Sequence, residues 1–252
     1  MFNFFKNAIK KPIDIDIITS SKYYSENIEE FICQTKFPSW TKDIHMPSIK
    51  EIVNYMFEHN TGYSTIKTCP AFVDILKNSF SIFSPCDIVI EIDKENKSWR
   101  WVSRTKHITL TPHNLVDQMG PSNPFLEKGI HCKFNLPFTV KSSEPINLFF
   151  LQPMYHSMSD LTIIPGSVEL NKKSRLQLNL NTFISNPHIE YDTKTEKTKI
   201  IHIKKGDILA YLYYGKQVKI GDIKTSFVPL EQFTNMIEHF NLTSDWVKTN
   251  RE

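Results

Sequence analysis

The stretch KIIHIKKGDILAYLYYG, residues 199–215, decides the fold class. It holds two runs rich in Ile, Leu and Tyr, which favour strands, on either side of Gly206 and Asp207. A glycine between two such runs supplies the positive φ of a bend or bulge. The stretch therefore predicts two strands joined by a tight turn, an arrangement that is common in small jelly rolls.

The same pattern recurs from about residue 64 onward. Strand-like segments follow one another, separated by short polar or proline-bearing turns and without helical segments between them. They are IVIEID (88–93), SWRWVS (98–103), HITLTPHN (107–114), HCKFNLPFTVKS (131–142), INLFFLQPMY (146–155), LTIIPGSVEL (161–170) and LQLNLNTFI (176–184). The first two read as a hairpin, and Pro165-Gly166 marks a sheet edge or corner because proline cannot donate to a ladder. This spacing predicts a mainly β fold, a single β-sandwich or jelly roll.

Both ends of the chain carry helical patterns. PSIKEIVNYMFEHN (47–60) is the strongest helix signal, with Pro47 at a first-turn position, and PLEQFTNMIEHFN (229–241) is a second. IDIDII (13–18) alternates as a strand, and SSKYYSENIEEFICQTK (20–36) reads as a loop leading into a helix. The predicted organisation is an N-terminal extension with a helix (1–36), one β-sandwich domain (37–215) and a C-terminal helical tail (216–252).

Composition restricts the classes of function. The 252-residue chain is 40% hydrophobic and 23% charged, which is ordinary for a globular protein, and 30 Lys and Arg against 27 Asp and Glu leave a net charge of +3. No dense basic cluster is present, so we expect no nucleic-acid partner. No apolar run is long enough for a membrane span, and the first residues place apolar side chains before the lysines, the reverse of a secretory signal. Without an export signal, we expect the reducing cytosol as the compartment.

The four cysteines are predicted to be structural. They are far apart and include no CxxC, so the spacing of a structural zinc site is missing. A reducing compartment disfavours a Cys69–Cys86 disulfide, and the prolines beside these two residues end segments rather than activate thiols. His131 precedes Cys132, but neighbours on a strand point to opposite faces. Burial as small apolar side chains is the favoured interpretation, with catalysis and disulfide formation as the alternatives.

The nine histidines leave a metal site as an open alternative. A metal-binding jelly roll typically carries His-x-His or His-x-Asp/Glu on one strand, because alternate residues share a face. The sequence has only one such pair, HIE (188–190), in a loop-like context beside a proline. The alternative is a metal site that uses His107, His113 or His156; the prediction is no metal and no bound cofactor.

Other catalytic signatures are missing as well. The chain has no GxSxG, no HExxH and no glycine-rich phosphate loop. Glu91 and Asp93 share a strand face, which is typical of a solvated face. Trp99 and Trp101 share a face of the next predicted strand. They form either a platform on which a sugar or base stacks or, as the favoured interpretation, the apolar face of a sheet. The candidate ligand-binding residues are Trp40, Asp87, Trp99, Trp101, His113 and His156.

The order of several motifs resembles a family of uncharacterised proteins of tailed phages and marine bacteria. The motifs are PSW (38–40), KTCPAFVD (67–74), SPCDI (84–88), WRW (99–101), FNLPFTVKSSEPINLFFLQPMYH (134–156), PGSVE (165–169) and IKKGDILAYLYY (203–214). The resemblance spans roughly residues 37 to 214. It implies a cupin-like sandwich and a viral setting, and it implies no activity, cofactor or catalytic residue.

The hypothesis from the sequence is a virus- or phage-encoded, non-catalytic β-sandwich that acts as a binding, accessory or virion component. Its expected partners are other proteins or a small ligand or glycan; the sequence does not predict the oligomeric state. Two alternatives stay open. One is a cupin-like metal-dependent enzyme of the oxygenase type, and the other is a carbohydrate-binding module.

Overall fold

The protein is mainly β. Its structure, a computed structural model, describes residues 11–61, 65–93, 98–105, 108–112, 129–153, 156, 161–172, 176–185 and 198–243. Within these ranges the strands are β1 (Ile13–Thr19), β2 (Ile32–Gln34), β3 (Ser79–Phe83), β4 (Ile88–Asp93), β5 (Ser98–Ser103), β6 (Thr109–Pro112), β7 (Gly129–Ser142), β8 (Ile146–Leu151), β9 (Leu161–Ile163), β10 (Gly166–Leu170), β11 (Leu176–Ser185), β12 (Thr198–Ile203), β13 (Ile208–Tyr213) and β14 (Ile220–Phe227). The helices in the same ranges are α1 (Lys22–Glu26), α2 (Ile49–His59), α3 (Pro70–Lys77) and α4 (Leu230–Thr243).

The strands form three sheets. The first has the order β14-β1-β7-β11-β9, with β6 also paired to β7; the second has the order β10-β8-β13-β3-β2; the third has the order β12-β4-β5. Strands β1 and β14 pair in parallel, and the other pairings among the described strands are antiparallel. Antiparallel sheets of this kind bury one face and leave the other to solvent.

The two larger sheets face each other across an apolar core. A void of about 20 Å³ lies between them, lined by Ile15, Ile17, Val140, Leu178 and Ile223 of the first sheet and by Ile32, Phe80, Leu148 and Leu212 of the second. Ile90 of the third sheet belongs to the same core. Each large apolar side chain buried there contributes roughly 1.5–3 kcal/mol. The mainly β prediction is confirmed and the layering is consistent with a β-sandwich; the jelly-roll and cupin-like assignments stay predictions.

Two local predictions in the β region are confirmed. β4 and β5 form an antiparallel pair with Ile90 opposite Trp101. The turn between β12 and β13 contains Gly206 with a φ of 88°, the left-handed region that favours glycine. The Lys204 N–H donates to Asp207 Oδ2 over 2.7 Å and closes this turn.

The stretch 68–93 resolves into a helix followed by strands. Pro70 occupies the first turn of α3, where a missing N–H costs no hydrogen bond. Phe72 and Leu76 of α3 pack with Tyr211 in a small second core. All four cysteines are free thiols; Cys86 and Cys132 are buried, whereas Cys33 and Cys69 are half-buried. The structural interpretation of Cys86 and Cys132 is therefore confirmed.

Both ends of the chain contribute strands to the first sheet. β1, from the predicted extension 1–36, lies between β14 and β7, and β14 comes from the predicted tail 216–252. Helix α4 is present as its pattern predicted. The helix predicted within residues 20–36 is only partly present: α1 covers Lys22–Glu26, whereas Ile32–Gln34 form β2 because they pair with β3. The segments are thus not purely helical, because each also supplies a strand that the sandwich uses. The sequence MFNFFKNAIKKP (1–12), whose Phe2, Phe5 and Ile9 follow the pattern of a short amphipathic helix, lies almost entirely outside the described residues.

Helix α2 differs from the prediction at its start. Ser48 is the N-cap and forms a capping box with Glu51, so the helix begins at Ile49 and Pro47 precedes the cap. The predicted position of Pro47 in the first turn is wrong. The Ser48 side chain accepts a hydrogen bond from the Glu51 N–H, so the first turn starts at Ile49, after Pro47.

The apolar face of α2 is open to solvent: Ile49 is 82% exposed and Phe57 is 85% exposed. No helix among the described residues is long and apolar enough to cross a membrane.

Candidate ligand-binding cleft

A cleft opens where the chain passes from the first sheet to the second. β9 pairs with β11 only from Thr182 to Ile184, and the Ile164 N–H donates to the Asn181 carbonyl over 2.9 Å as the final contact. Pro165 has no N–H to continue the ladder, so the chain turns away and enters β10, which pairs with β8 in the second sheet. The predicted corner at Pro165-Gly166 is confirmed, and it leaves a gap beside β11.

The gap is a cavity of about 260 Å³. One part of its wall is polar and the other is apolar. The polar side chains are Lys133, Ser167, Gln177, Asn179 and Asn181; the remaining lining is Phe150, Ile164, Pro165, Gly166 and Val168. A concave site with a few convergent polar groups beside an apolar wall is the usual form of a small-molecule site.

The polar wall follows from alternation along β11. Leu178 and Leu180 are buried in the sandwich core, so the residues between them turn to the other face. That alternation brings three carboxamides, from Gln177, Asn179 and Asn181, to the cleft. The Asn179 Nδ2 donates to Gln177 Oε1 over 3.5 Å, a long contact, and Gln177 Nε2 donates to the Leu136 carbonyl over 3.4 Å.

Asn179 has an acceptor that nothing in the described part of the chain satisfies. Its Oδ1 is buried from solvent and has no hydrogen-bond donor within reach. A buried acceptor without a partner costs about 1–3 kcal/mol. Because this oxygen has almost no accessible surface, the cost falls on the stability of the folded protein.

Lys133 supplies the only charge among the lining side chains that the structure describes. It lies on β7 opposite Asn181 of β11, so its side chain and that carboxamide share a face of the sheet. Among the described residues no Asp or Glu lines the cleft, and Lys133 forms no ion pair with any of their carboxylates. The described part of the lining is therefore neutral apart from the Lys133 ammonium group.

The structure places the predicted tryptophans in the sheet rather than on an open platform. Trp99 and Trp101 are half-buried on β5 and pack against the main core, opposite Ile92 and Ile90 of β4. This position agrees with the favoured interpretation of an apolar sheet face. Trp40 lies in a short 3-10 helix, Ser39–Asp43, with its ring 6.4 Å from that of Phe72. None of these three residues lines the corner cleft.

Asp87 holds a turn in place. Its Oδ1 accepts a hydrogen bond of 2.9 Å from the Lys205 N–H, in the loop that contains Gly206. The Lys205 ammonium in turn donates to the Tyr23 hydroxyl and to Glu30 Oε2, each over 3.0 Å, and these hydrogen bonds raise the pKa of Lys205. The contacts of Asp87 connect two loops, which is a structural use of its carboxylate.

The histidine candidates are only partly described. His156 is half-buried; its Nδ1 is hydrogen-bonded to the Tyr211 hydroxyl, and burial lowers the pKa of its ring. His107 and His113 lie outside the described residues. Among the residues that are described, no group of three or more His, Cys, Asp or Glu is placed to hold a metal ion.

The lining residues of the cleft were not among the candidates from the sequence. The alternating polar residues of QLNLN, 177–181, were visible as a pattern, but a polar strand face usually meets only water. The sequence predicted the corner at Pro165-Gly166 but did not predict the cavity beside it.

No family model matches the chain, and no curated protein matches its sequence.

Proposed function

We propose that the protein is a non-catalytic binding protein and that the corner cleft between β10 and β11 is its ligand site. The observation that carries the proposal is the cleft of about 260 Å³, in which the polar side chains of Ser167, Gln177, Asn179 and Asn181 lie beside an apolar wall. A concave site with a few convergent polar groups and an apolar lining is the usual form of a small-molecule site.

The surrounding residues support a small, polar ligand. Three carboxamides and a hydroxyl offer both donors and acceptors, and an apolar wall stands beside them. The three carboxamides lie on β11. The other face of this strand is fixed in the core by the buried side chains of Leu178 and Leu180. A site on packed strands is preorganised, so little conformational entropy is lost when a ligand enters.

A fragment screen by NMR tests this proposal. The 15N-labelled full chain is titrated with a library of small sugars, amides and carboxylates, each at about 10 mM so that millimolar affinities are visible. The reporters are the side-chain amide signals of Gln177, Asn179 and Asn181, assigned by single substitution. The carboxamide of Asn78 is the internal control, because it donates to Asp74 at the end of α3, outside the cleft.

We expect at least one compound to shift the three reporter signals and to leave that of Asn78 unchanged. The shifts should be lost in the Asn179→Leu variant, in which the side chain keeps its shape and loses its polar atoms. A library in which no compound moves the three signals would overturn the proposed site.

We also propose a viral or phage setting, in which the protein acts in the host cytoplasm or in the particle as an accessory or virion component. The support is the ordered set of motifs between residues 37 and 214, from PSW to IKKGDILAYLYY. Mass spectrometry of purified particles tests the virion part of this proposal. Detection at a constant copy number per particle is the expected result, and absence from washed particles would remove the virion role.

A further inference from the structure

Helix α2 carries an exposed surface that fits a second copy of the same chain. We propose that the protein forms a two-fold symmetric dimer in which α2 of one copy packs antiparallel on α2 of the other. This contact is separate from the corner cleft, since none of the lining residues that the structure describes belongs to α2.

Exposed apolar side chains are concentrated around α2. Seven of the fourteen large apolar side chains that are exposed in the described part of the chain lie between residues 37 and 57. On α2 itself, Val53 and Met56 are 42% and 50% exposed, in addition to the more exposed Ile49 and Phe57. The helix has 11 residues and buries none of them. An isolated helix of this length is marginal in water and depends on packing of its apolar face, so a contact that covers this face stabilises α2.

The apolar side chains of α2 form a ridge that is symmetrical about its centre. Ile52 and Tyr55 are half-buried, so their side of the helix faces the rest of the protein. Ile49, Val53 and Phe57 are spaced four residues apart and form a ridge on another side. When two copies meet about a two-fold axis at Val53, Ile49 from each copy meets Phe57 from the other.

The neighbouring ridge gives the direction of the pairing. It consists of Lys50, Asn54 and Glu58, which are all exposed, and it carries a positive charge near the start of the helix and a negative charge near its end. Among the described residues, neither Lys50 nor Glu58 forms an ion pair. In an antiparallel pair, Lys50 from each copy comes near Glu58 from the other. A two-fold interface requires a surface that is complementary to itself, and this ridge meets that requirement at two symmetric contacts.

The charges of α2 fit the other kinds of partner less well. A helix that lies on an anionic membrane carries lysine or arginine on its polar side. On α2, Lys50 is accompanied by Glu51 and Glu58, so negative charges outnumber positive ones. An unrelated partner protein does not require the two ends of the polar ridge to match each other. A second copy of the chain does require it.

The contact is small, so the dimer is weak. The ridge of α2 offers on the order of a few hundred Å² of apolar surface per chain, less than the ~800 Å² per partner of a standard interface. Met46, which is two residues before the N-cap and 51% exposed, extends the apolar surface beyond the helix. We expect a reversible dimer with a Kd on the order of 10–100 µM.

Sedimentation velocity of the full chain at ~1–500 µM measures this association. Three charge variants test the pairing: Lys50→Glu, Glu58→Lys and the variant with both substitutions. Each single substitution places like charges at both symmetric contacts, whereas the double variant exchanges the two ends and restores the attraction. Each single substitution also favours the helix dipole, since it adds an acidic group near the N-terminus or a basic group near the C-terminus. A loss of dimer therefore does not come from a weakened α2.

We expect the unmodified chain to dimerise and each single charge variant to associate about tenfold more weakly. The double variant should return to within about threefold of the unmodified chain, because both contacts are again between opposite charges. Phe57→Ser should weaken the dimer by about tenfold or more, as expected for an aromatic side chain at a contact. Val102→Ser is the matched control: Val102 is 62% exposed on β5 of the third sheet, and its loss should leave the association unchanged.

A chain that stays monomeric throughout this concentration range would overturn the proposal. A dimer that the single charge variants do not weaken, or that the double variant does not restore, would contradict the antiparallel pairing of α2. Co-sedimentation with phosphatidylcholine–phosphatidylserine vesicles in the absence of self-association would assign the apolar ridge to a membrane surface instead. The corner cleft is judged separately by the fragment screen, so the two proposals fail independently.

Discussion

The backbone N–H of Asp222 donates to Asp14 Oδ1 over 3.0 Å, which joins the first strand of the sandwich to its last. The bond lies where β1 and β14 run in parallel and where their register shifts between Ile13 and Ile15. Gly221 stands next to the donor. A β-carbon at Gly221 would run into the Asp14 Oδ1 and approach the Pro12 Cβ to 3.1 Å.

Gly221→Ala should therefore destabilise the protein. The added methyl displaces the Asp14 carboxylate from its hydrogen bond, and overpacking of this kind costs about 1–3 kcal/mol. Chemical denaturation measures the free energy of unfolding. Gly166→Ala is the matched control, because a β-carbon there meets no atom within 4 Å, and its change should stay within ~0.5 kcal/mol. Equal effects of the two substitutions would contradict the close approach at Gly221.

Asn179→Leu should stabilise the unliganded protein or leave its stability unchanged, which is the opposite of the usual outcome at a half-buried position. The substitution removes the orphaned Oδ1, whose burial costs about 1–3 kcal/mol, and keeps the side-chain shape. Thermal unfolding without ligand measures the effect. Asn78→Leu is the comparison, since its carboxamide is hydrogen-bonded to Asp74 and its loss should lower the unfolding temperature. A drop at Asn179 as large as that at Asn78 would show that Oδ1 has a partner.

His156 should make stability depend on pH. Burial lowers the pKa of its ring in the folded state, so below about pH 6.5, the ordinary value for histidine, the unfolded chain binds the extra proton more readily. The stability that His156 contributes is complete above that pH and is lost as the pH falls toward the folded-state pKa. Denaturation curves between pH 8 and pH 5 should fall less steeply for His156→Gln than for the unmodified chain. A slope that stays the same in His156→Gln would show that this ring ionises equally in the folded and unfolded chain.

The buried thiols should resist alkylation. Burial raises the pKa of Cys132 to about 11, and it raises that of Cys86 as well, so few thiolates form at pH 8. Iodoacetamide added to the folded protein, followed by peptide mass spectrometry, should modify the half-buried Cys69 well before Cys132. In guanidinium chloride all four cysteines should react. Modification of Cys132 at the rate of Cys69 in the folded chain would contradict its burial.

Local signals in the sequence predicted the local structure well. The β4–β5 hairpin, the glycine turn at Gly206 and the tail helix each depend on a pattern within about fifteen residues, and each is present. The pairing of β1 with β14 joins residues some 200 positions apart. Alternation in IDIDII predicted a strand there but carried no information about its partner, since register and neighbours are set by tertiary packing.

The candidate site was harder to predict for the same reason. Gln177, Asn179 and Asn181 look like any solvated strand face until β10 is placed beside them. Lys133 is more than forty residues away in the sequence, and only the β7–β11 register puts it opposite Asn181. The candidates from the sequence are all aromatic or titratable residues, so a site made largely of neutral amides is not among them.

The parallel pairing of β1 with β14 also sets the order in which the protein can assemble on the ribosome. β1 emerges early, but one of its edges has no partner until residues 220–227 have been translated. A nascent chain thus carries an open strand edge through most of its synthesis, and such an edge is a template for unwanted pairing. The native pairing of β1 in the first sheet can therefore be completed only after β14 has been synthesised.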